Sequence, residues 1–148
     1  MAHVDKKYQQ LAGCSCNAVR EAARTITQFY EGSLREANIK PTQFNILATL
    51  ANTGPIALSQ LANILSIERT GLTRNLNVLE RNDWIAIQSG ERDSRQRISA
   101  LSENGYKQLD RAIPYWEKAQ SAIAEGMGMT ALAKLKKDLS SLKKTATA

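Results

Sequence analysis

The sequence predicts a mainly α-helical domain that carries one small β-hairpin. Apolar residues recur at three- and four-residue steps through most of the 148 positions, which is the period of an amphipathic helix. The exception is the segment 84–101, where two short runs with alternating apolar residues flank a charged loop, as in a hairpin. The length and the 43% hydrophobic content suffice for one core and not for two, so we expect residues 1–148 to form a single domain.

Two helices are predicted in the first third of the chain. The first runs from about Cys14 to Ala37, and the second begins at Pro41, since proline suits the first turn of a helix. The second helix ends at the turn sequence NTGP. One stripe of the first helix carries seven apolar residues: Val19, Ala22, Ala23, Ile26, Phe29, Tyr30 and Leu34.

Two shorter helices follow and meet at a tight turn. The segment IALSQLANILS forms the first helix, Ser66-Ile67 form the turn, and a helix from about Glu68 to Arg81 comes after it. Leucines at positions i, i+4 and i+7 face the core in this last helix. Its short outer face is rich in hydrogen-bond donors and consists of Arg69, Thr70, Thr73, Arg74 and Asn77.

The hairpin strands lie in WIAIQ and RISAL. The preceding pair Asn82-Asp83 tolerates the left-handed conformation that ends many helices. After the hairpin, Ser102 is the N-cap of a helix from about Glu103 to Glu125, in which Pro114 produces a bend rather than an end. A last helix follows GMGMT and has leucines on one side: Leu132, Leu135, Leu139 and Leu142.

This order of elements is that of a winged helix-turn-helix. In that motif the helix after the turn enters the DNA major groove, and the hairpin, or wing, reaches the backbone or the adjacent minor groove. The net charge of +6 favours an anionic partner, with nucleic acid first. Arginines at the wing tip suit this role, because a guanidinium is a weakly hydrated cation that fits a narrow minor groove. Part of the charge is explained by a solvated C-terminal surface that carries Lys134, Lys136, Lys137, Lys143 and Lys144.

The chain also resembles the MarR family of bacterial transcription regulators. The resemblance lies in LSQLANILSIERTGLTRNLNVLERNDWI and in ERDSRQRISALSENG. In the second segment, DSR is similar to the family's Asp-x-Arg wing signature, and LSENG to its Leu-Thr-x-x-Gly opening of the next helix. Four positions depart from the pattern, since Ser66 and Asp83 stand where glycine is common, and Lys40 and Ala57 where a Ser or Thr N-cap is expected.

The resemblance implies roles for individual residues. Arg95 is similar to the wing arginine that enters the minor groove, and Asp93 to the acid that holds the side chain of that arginine in place. Arg92 and Arg97 are expected to contact phosphates or flanking DNA. The polar outer face of the helix at 68–81, defined above, corresponds to the family's recognition helix, which contacts bases and phosphates.

The family also implies a homodimer and a small effector. Two recognition helices about one helical turn apart would bind a pseudo-palindromic operator. Helices at about 12–37 and 103–145 flank a DNA-binding core at about 40–101 and resemble the family's dimer interface, unless their apolar stripes pack within one chain.

The implied function is a transcriptional repressor that binds double-stranded DNA and responds to a ligand. In the family, this effector is often an aromatic or phenolic anion and binds between the dimer helices and the core. By position, five residues are candidates for this pocket, although each is also explicable as core or interface: Arg20, Arg24, Phe44, Tyr115 and Trp116.

The motif GCSC raises a thiol or metal switch as an alternative. On a helix, positions i and i+2 point about 200° apart, so Cys14 and Cys16 are not expected to bond to each other unless that turn is frayed. A bridge between subunits and a plain buried or interface role both remain open. Two thiols without histidine or carboxylate nearby do not complete a zinc site, so we predict no metal and no cofactor.

Catalysis is not predicted. His3 is the only histidine, no glycine-rich phosphate loop is present, and no carboxylate pair or Ser-His-Asp set has a suitable spacing.

No apolar run approaches the length of a membrane span, and the start of the sequence lacks the apolar segment of a secretory signal. We therefore expect a cytoplasmic protein without a membrane partner, which two cysteines also fit. The competing function is a winged helix that serves as a protein-interaction scaffold.

Overall fold

A computed structural model of the chain describes residues 4–148, so His3 lies outside the described residues. Within that range the chain is mainly helical, with a small antiparallel sheet. The fold class predicted from the sequence is confirmed. The helices are α1 Lys6–Gln9, α2 Ser15–Leu34, α3 Pro41–Thr53, α4 Leu58–Leu65, α5 Arg69–Arg81, α6 Glu103–Met127 and α7 Met129–Ala146; the strands are β1 Ile56–Ala57, β2 Ile85–Ser89 and β3 Arg97–Leu101.

The first two predicted helices are present, with altered ends. The α-helical part of α2 stops at Leu34, and a 3₁₀ turn at Arg35–Ala37 leads to Asn38 in the left-handed conformation, with φ of 53°. Lys40 is the N-cap of α3, as predicted, and Gln43 Oε1 accepts a hydrogen bond from its main-chain N–H (3.0 Å). This contact is half of a capping box, and it satisfies the main-chain N–H of Lys40. The other half is missing, because a lysine side chain cannot accept a hydrogen bond from the first turn of the helix. The short α1 was not predicted.

The sheet has three strands in the order β1-β3-β2, all antiparallel. The predicted hairpin of β2 and β3 is correct, with Ile85 opposite Leu101 and Ser89 opposite Arg97. The prediction missed β1, which pairs Ile56 with Ser99. Two residues after a proline are too short for an alternating pattern to be recognised, and a proline at the start of an edge strand is common.

The core lies between α3, α4, α5, α6 and one face of the sheet. The leucines predicted to face inward on α5 are buried, as are Leu61 on α4 and Leu109 on α6. The fully buried members include Ile46, Leu47, Leu50, Leu61, Leu72, Leu76 and Leu79. This packing fixes which face of α5 points outward.

The helices α2 and α7 leave apolar stripes uncovered. On α2, the single chain buries Leu34, whereas Ile26 and Phe29 are more than 40% exposed. On α7 no residue is buried, and Leu139 is 44% exposed. The alternative that these stripes pack within one chain is therefore wrong for most of their length. Helix α6 continues across Pro114, as predicted. Nowhere in residues 4–148 is a helix both long and apolar enough to cross a bilayer.

Candidate nucleic-acid interface

The outer face of α5 is polar and open to solvent. All five residues predicted for it are exposed, and together they line one shallow hollow: Arg69, Thr70, Thr73, Arg74 and Asn77. The N-cap residue Glu68 makes no side-chain hydrogen bond to the first turn, so the N–H groups there are free to bind an anion such as phosphate. Ser66, in the turn before α5, has φ of 52° and takes the left-handed conformation for which glycine is usual.

The wing tip is a tight loop held by main-chain bonds. The N–H of Gly90 donates to the oxygen of Gln96 (2.7 Å), and the N–H of Gln96 donates to the oxygen of Asp93 (3.0 Å). A Cβ on Gly90 would lie 2.8 Å from the Asp93 oxygen, so the loop closes this tightly because residue 90 is glycine. The loop presents the exposed Arg92 and Arg95, and Arg97 is exposed at the start of β3.

Asp93 shapes the tip through the backbone. Its Oδ1 accepts a hydrogen bond from the main-chain N–H of Arg95 (3.0 Å). The sequence predicted that this carboxylate holds the Arg95 side chain, and the structure differs, since no ion pair joins the two groups in the described part of the chain. A carboxylate two residues before an N–H closes an Asx turn, and this local bond leaves the guanidinium free.

One corner of the fold ties the end of α5 to the start of α6. Asp83 has φ of 58°, and its main-chain oxygen accepts a hydrogen bond from Ser102 Oγ (2.5 Å). The Asp83 carboxylate accepts another from Asn104 Nδ2 (2.7 Å). Ser102 Oγ accepts from the N–H of Gly105 (3.0 Å), which caps α6, and the Ser102 N–H donates to the oxygen of Trp84 (3.0 Å). We call Asp83, Trp84, Ser102, Asn104 and Gly105 the α5–α6 corner.

The sequence singled out parts of this corner without predicting its contacts. The left-handed turn was assigned to Asn82-Asp83, and Asp83 alone adopts it. The glycine of LSENG was noted only as part of a family motif. The structure shows why residue 105 is glycine: a Cβ at this position would lie 1.9 Å from the Trp84 oxygen.

The five residues predicted for an effector pocket lie on α2, α3 and α6, and their part in effector binding stays a prediction. Phe44 is buried and stacks on Trp116, with ring centroids 5.9 Å apart. The main-chain oxygen of Tyr115 accepts a hydrogen bond from a serine of α2. Arg20 and Arg24 are exposed on α2, and Arg24 lines a separate shallow hollow. The aromatic residues therefore serve helix packing in the single chain.

A different cleft of about 320 Å³ lies where the end of α2, the start of α3 and the end of α5 meet. The two cationic residues of its lining, Arg35 and Lys40, form no ion pair with any other described residue. Sequence periodicity gave no signal for this cleft, because most of its residues come from two turns, one after α2 and one after α5. Its lining consists of Glu31, Arg35, Asn38, Ile39, Lys40, Gln43, Asn82 and Trp84.

Cys14 and Cys16 are exposed, unbonded thiols at the start of α2. Cys14 is the N-cap, in an extended conformation with ψ of 115°, and Cys16 lies in the first helical turn. The helix begins one residue later than the predicted start at about Cys14, so the 200° argument, which assumes two helical residues, does not apply to this pair, and a redox role stays a prediction. No group of three metal-ligating side chains occurs among residues 4–148.

Comparison with known proteins gives consistent matches. A family model described as the MarR family matches residues 39–96, which contain α3, α4, α5 and most of the wing. The crystal structure of the Mycobacterium tuberculosis transcriptional regulator MosR in complex with DNA superimposes with a TM-score of 0.83 at 31% identity. That match covers 90% of this chain and 96% of the MosR chain.

Two curated relatives are similar in sequence. The HTH-type transcriptional regulator FarR of Neisseria gonorrhoeae is 28% identical over 133 residues, which is 90% of each chain. The HTH-type transcriptional regulator YkoM of Bacillus subtilis is 29% identical over 101 residues, and this match spans 66% of each chain.

Proposed function

The chain belongs to the MarR family of DNA-binding transcriptional regulators, and we propose that it binds a pseudo-palindromic operator as a ligand-responsive homodimeric repressor. It is a regulator and not an enzyme. The observation that carries the proposal is the outer face of α5, which keeps five polar side chains exposed while its leucines are buried. Membership of this family of DNA-binding regulators argues against the competing function, a winged helix that serves as a protein-interaction scaffold.

In the proposed complex, α5 enters the major groove and the wing enters the adjacent minor groove. Arg69 and Arg74 contact bases or phosphates, Thr70, Thr73 and Asn77 contact base edges, and Arg92 and Arg97 contact the backbone. Arg95 lies in the minor groove, where its guanidinium, free of any ion pair in the described chain, meets concentrated negative potential. Asp93 orients the tip through the Arg95 main chain.

Binding of Arg95→Ala to operator DNA tests this arrangement. We expect the affinity to fall by about 1–3 kcal/mol and the slope of log K against log salt to decrease by about 1, with unfolding unchanged. The matched control is Arg111→Ala, which removes the same charge from an exposed position of α6. Equal affinity of wild type and Arg95→Ala across the salt series contradicts the role of the wing.

The homodimer is proposed from the uncovered stripes of α2 and α7. Exposed Phe29, Leu135 and Leu139 lie on helices that flank the DNA-binding core, and burying such side chains in a partner is favourable by about 25 cal/mol per Å². We expect light scattering to give twice the 16.3 kDa mass of one chain. Leu139→Glu reduces that mass to one chain, whereas the control Lys137→Glu, on the other side of α7, does not. A monomeric wild type contradicts the dimer.

The effector is proposed to bind the cleft that contains Arg35, Lys40 and Trp84. Its two cations outnumber its one carboxylate, Glu31, and with the indole they suit a small aromatic anion; the volume is at the lower end of that of ligand pockets. Trp84 and Trp116 are the two tryptophans, so the variant Trp116→Phe leaves an indole that reports on the cleft. Benzoate should quench it and neutral benzamide should not, and Arg35→Gln should weaken the quenching. Equal responses to both probes contradict an anion site.

Repression is tested separately in cells. A reporter gene placed behind the operator should be expressed more strongly when the gene for this chain is deleted. Addition of the effector should have the same effect on the intact strain. Lower expression after deletion would identify an activator and contradict the proposal.

A thiol-switched regulator is the second candidate function, favoured by the positions of Cys14 and Cys16. Both sulfurs are exposed, and Cys14 lies outside the helix, so the helical spacing that keeps positions i and i+2 apart does not hold for this pair. Hydrogen peroxide would oxidise the two thiols to a disulfide while it is reduced to two water molecules. Mass spectrometry should then show the loss of two hydrogens, and DNA binding should weaken. Neither a disulfide nor a change in DNA binding after peroxide treatment would contradict the switch.

A further inference from the structure

We propose that the hydrogen bond between Asp83 and Asn104 positions the recognition helix relative to the long helix α6. The inference rests on the proposed contact of α5 with DNA. Asp83 is the residue that directly follows the last turn of α5 and its C-cap, and Asn104 lies in the first turn of α6. A bond between these side chains joins the helix that contacts DNA to the 25-residue helix that leads toward α7.

The main chain of the corner supplies an anchor that does not depend on this bond. Ser102 bonds the oxygens of residues 83 and 84, and Gly105 packs against the oxygen of Trp84. These contacts hold the corner together whichever side chain stands at 83. The carboxylate adds a side-chain connection from the end of α5 to the first turn of α6, and this further connection restricts rotation of one helix about the other.

The choice of residue at position 83 supports a role beyond stability. With φ of 58°, the position is one where glycine has no steric cost, whereas aspartate is tolerated there because its short polar side chain can form a hydrogen bond. Its carboxylate oxygen lies 2.7 Å from Asn104 Nδ2, a distance typical of a strong bond to a charged acceptor. The contact is exposed to solvent, so its effect on global stability is small.

The test uses two variants that remove the bond and one that keeps it. Asp83→Gly relieves the left-handed strain and removes the carboxylate, and Asn104→Ala removes the donor from a helical position that alanine suits. Asp83→Asn is the control, because asparagine tolerates this conformation and its amide oxygen accepts from Asn104. All three full-length variants should unfold within a narrow range of the wild type.

Operator affinity is the readout, measured on duplexes whose half-sites are moved apart or together by one base pair. We expect Asp83→Gly and Asn104→Ala each to weaken binding about three- to tenfold, because a less restricted α5 loses more orientational freedom on DNA, and to flatten the preference for one spacing. The double variant should be no weaker than either single variant, and Asp83→Asn should bind as wild type does.

Wild-type affinity and spacing preference in both Asp83→Gly and Asn104→Ala would overturn the inference, as would fully additive losses in the double variant. These results are distinct from failure of the proposed function. In that case the wild type itself would show no binding that depends on Arg95.

Discussion

Replacement of Gly105 by alanine is expected to destabilise the fold, chiefly through one contact with the main chain of Trp84. The added Cβ would lie 1.9 Å from the Trp84 oxygen, whereas real Cβ atoms essentially never approach closer than 3.0 Å. The start of α6 must therefore move by about 1 Å, the difference between these distances. The Trp84 oxygen belongs to the main chain and the position of a Cβ is fixed by its own main chain, so no side-chain rotation relieves the overlap.

The size of the effect follows from what that movement disturbs. It strains the bond from Ser102 N–H to Trp84 and the cap of Gly105 by Ser102, each 3.0 Å long and each contributing about 1 kcal/mol. Overpacking adds about 1–3 kcal/mol, and the better helix propensity of alanine offsets up to about 1 kcal/mol. We expect a net loss of about 2–4 kcal/mol in the free energy of unfolding, or about 5–15 °C in the melting temperature.

Urea denaturation at a fixed protein concentration measures this loss, since a dimer's stability depends on concentration. Gly126→Ala is the matched control, because it lies in the same helix and a Cβ there meets nothing within 4 Å of the described chain. That variant should be as stable as wild type or slightly more stable. Equal stability of Gly105→Ala and Gly126→Ala would refute the reasoning from the contact.

Three further predictions concern other positions. Ser99→Ala should stabilise the protein by about 1 kcal/mol, because Ser99 Oγ is buried in the sheet and has no hydrogen-bond partner among residues 4–148; lower stability in denaturation would contradict this. Burial raises the pKa of Tyr30 above its ordinary value of 10.0. The contribution of the neutral Tyr30 side chain to the free energy of unfolding is therefore full below about pH 10 and is lost as pH rises through the raised pKa. Tyr30→Phe should remove that part of the pH dependence, and a plot of stability against pH that is the same in wild type and variant would contradict this. Gly90→Ala should distort the wing tip and weaken operator binding with little change in melting temperature, and unimpaired binding in a mobility-shift titration would count against the tight loop.

Most of the architecture could be predicted because it depends on long periodic patterns. The leucines of α5 recur at helical spacing, so the pattern identified both the buried side and the polar face opposite to it. The hairpin was equally accessible from alternation in WIAIQ and RISAL. The five α5 residues and the wing arginines are exposed where the pattern placed them, and their contact with DNA stays a prediction.

The features that the sequence did not reveal depend on contacts between distant segments. The bond of Asp93 to the Arg95 main chain, rather than to its guanidinium, is set by the local geometry of the tip. The α5–α6 corner joins residues about twenty positions apart through single hydrogen bonds, which leave no periodic signal. The effector residues were inferred from a family resemblance; the single chain stacks Phe44 on Trp116, a contact between α3 and α6 that the sequence pattern does not show.

Hydroxyl-radical footprinting of the purified protein on the DNA beside its own gene tests most directly the claim that α5 and the wing bind duplex DNA in a dimer. We predict two protected half-sites with centres about one helical turn apart, flanked by minor-groove protection that disappears in Arg95→Ala. A single unpaired footprint, or flanking protection that persists in Arg95→Ala, would contradict the account.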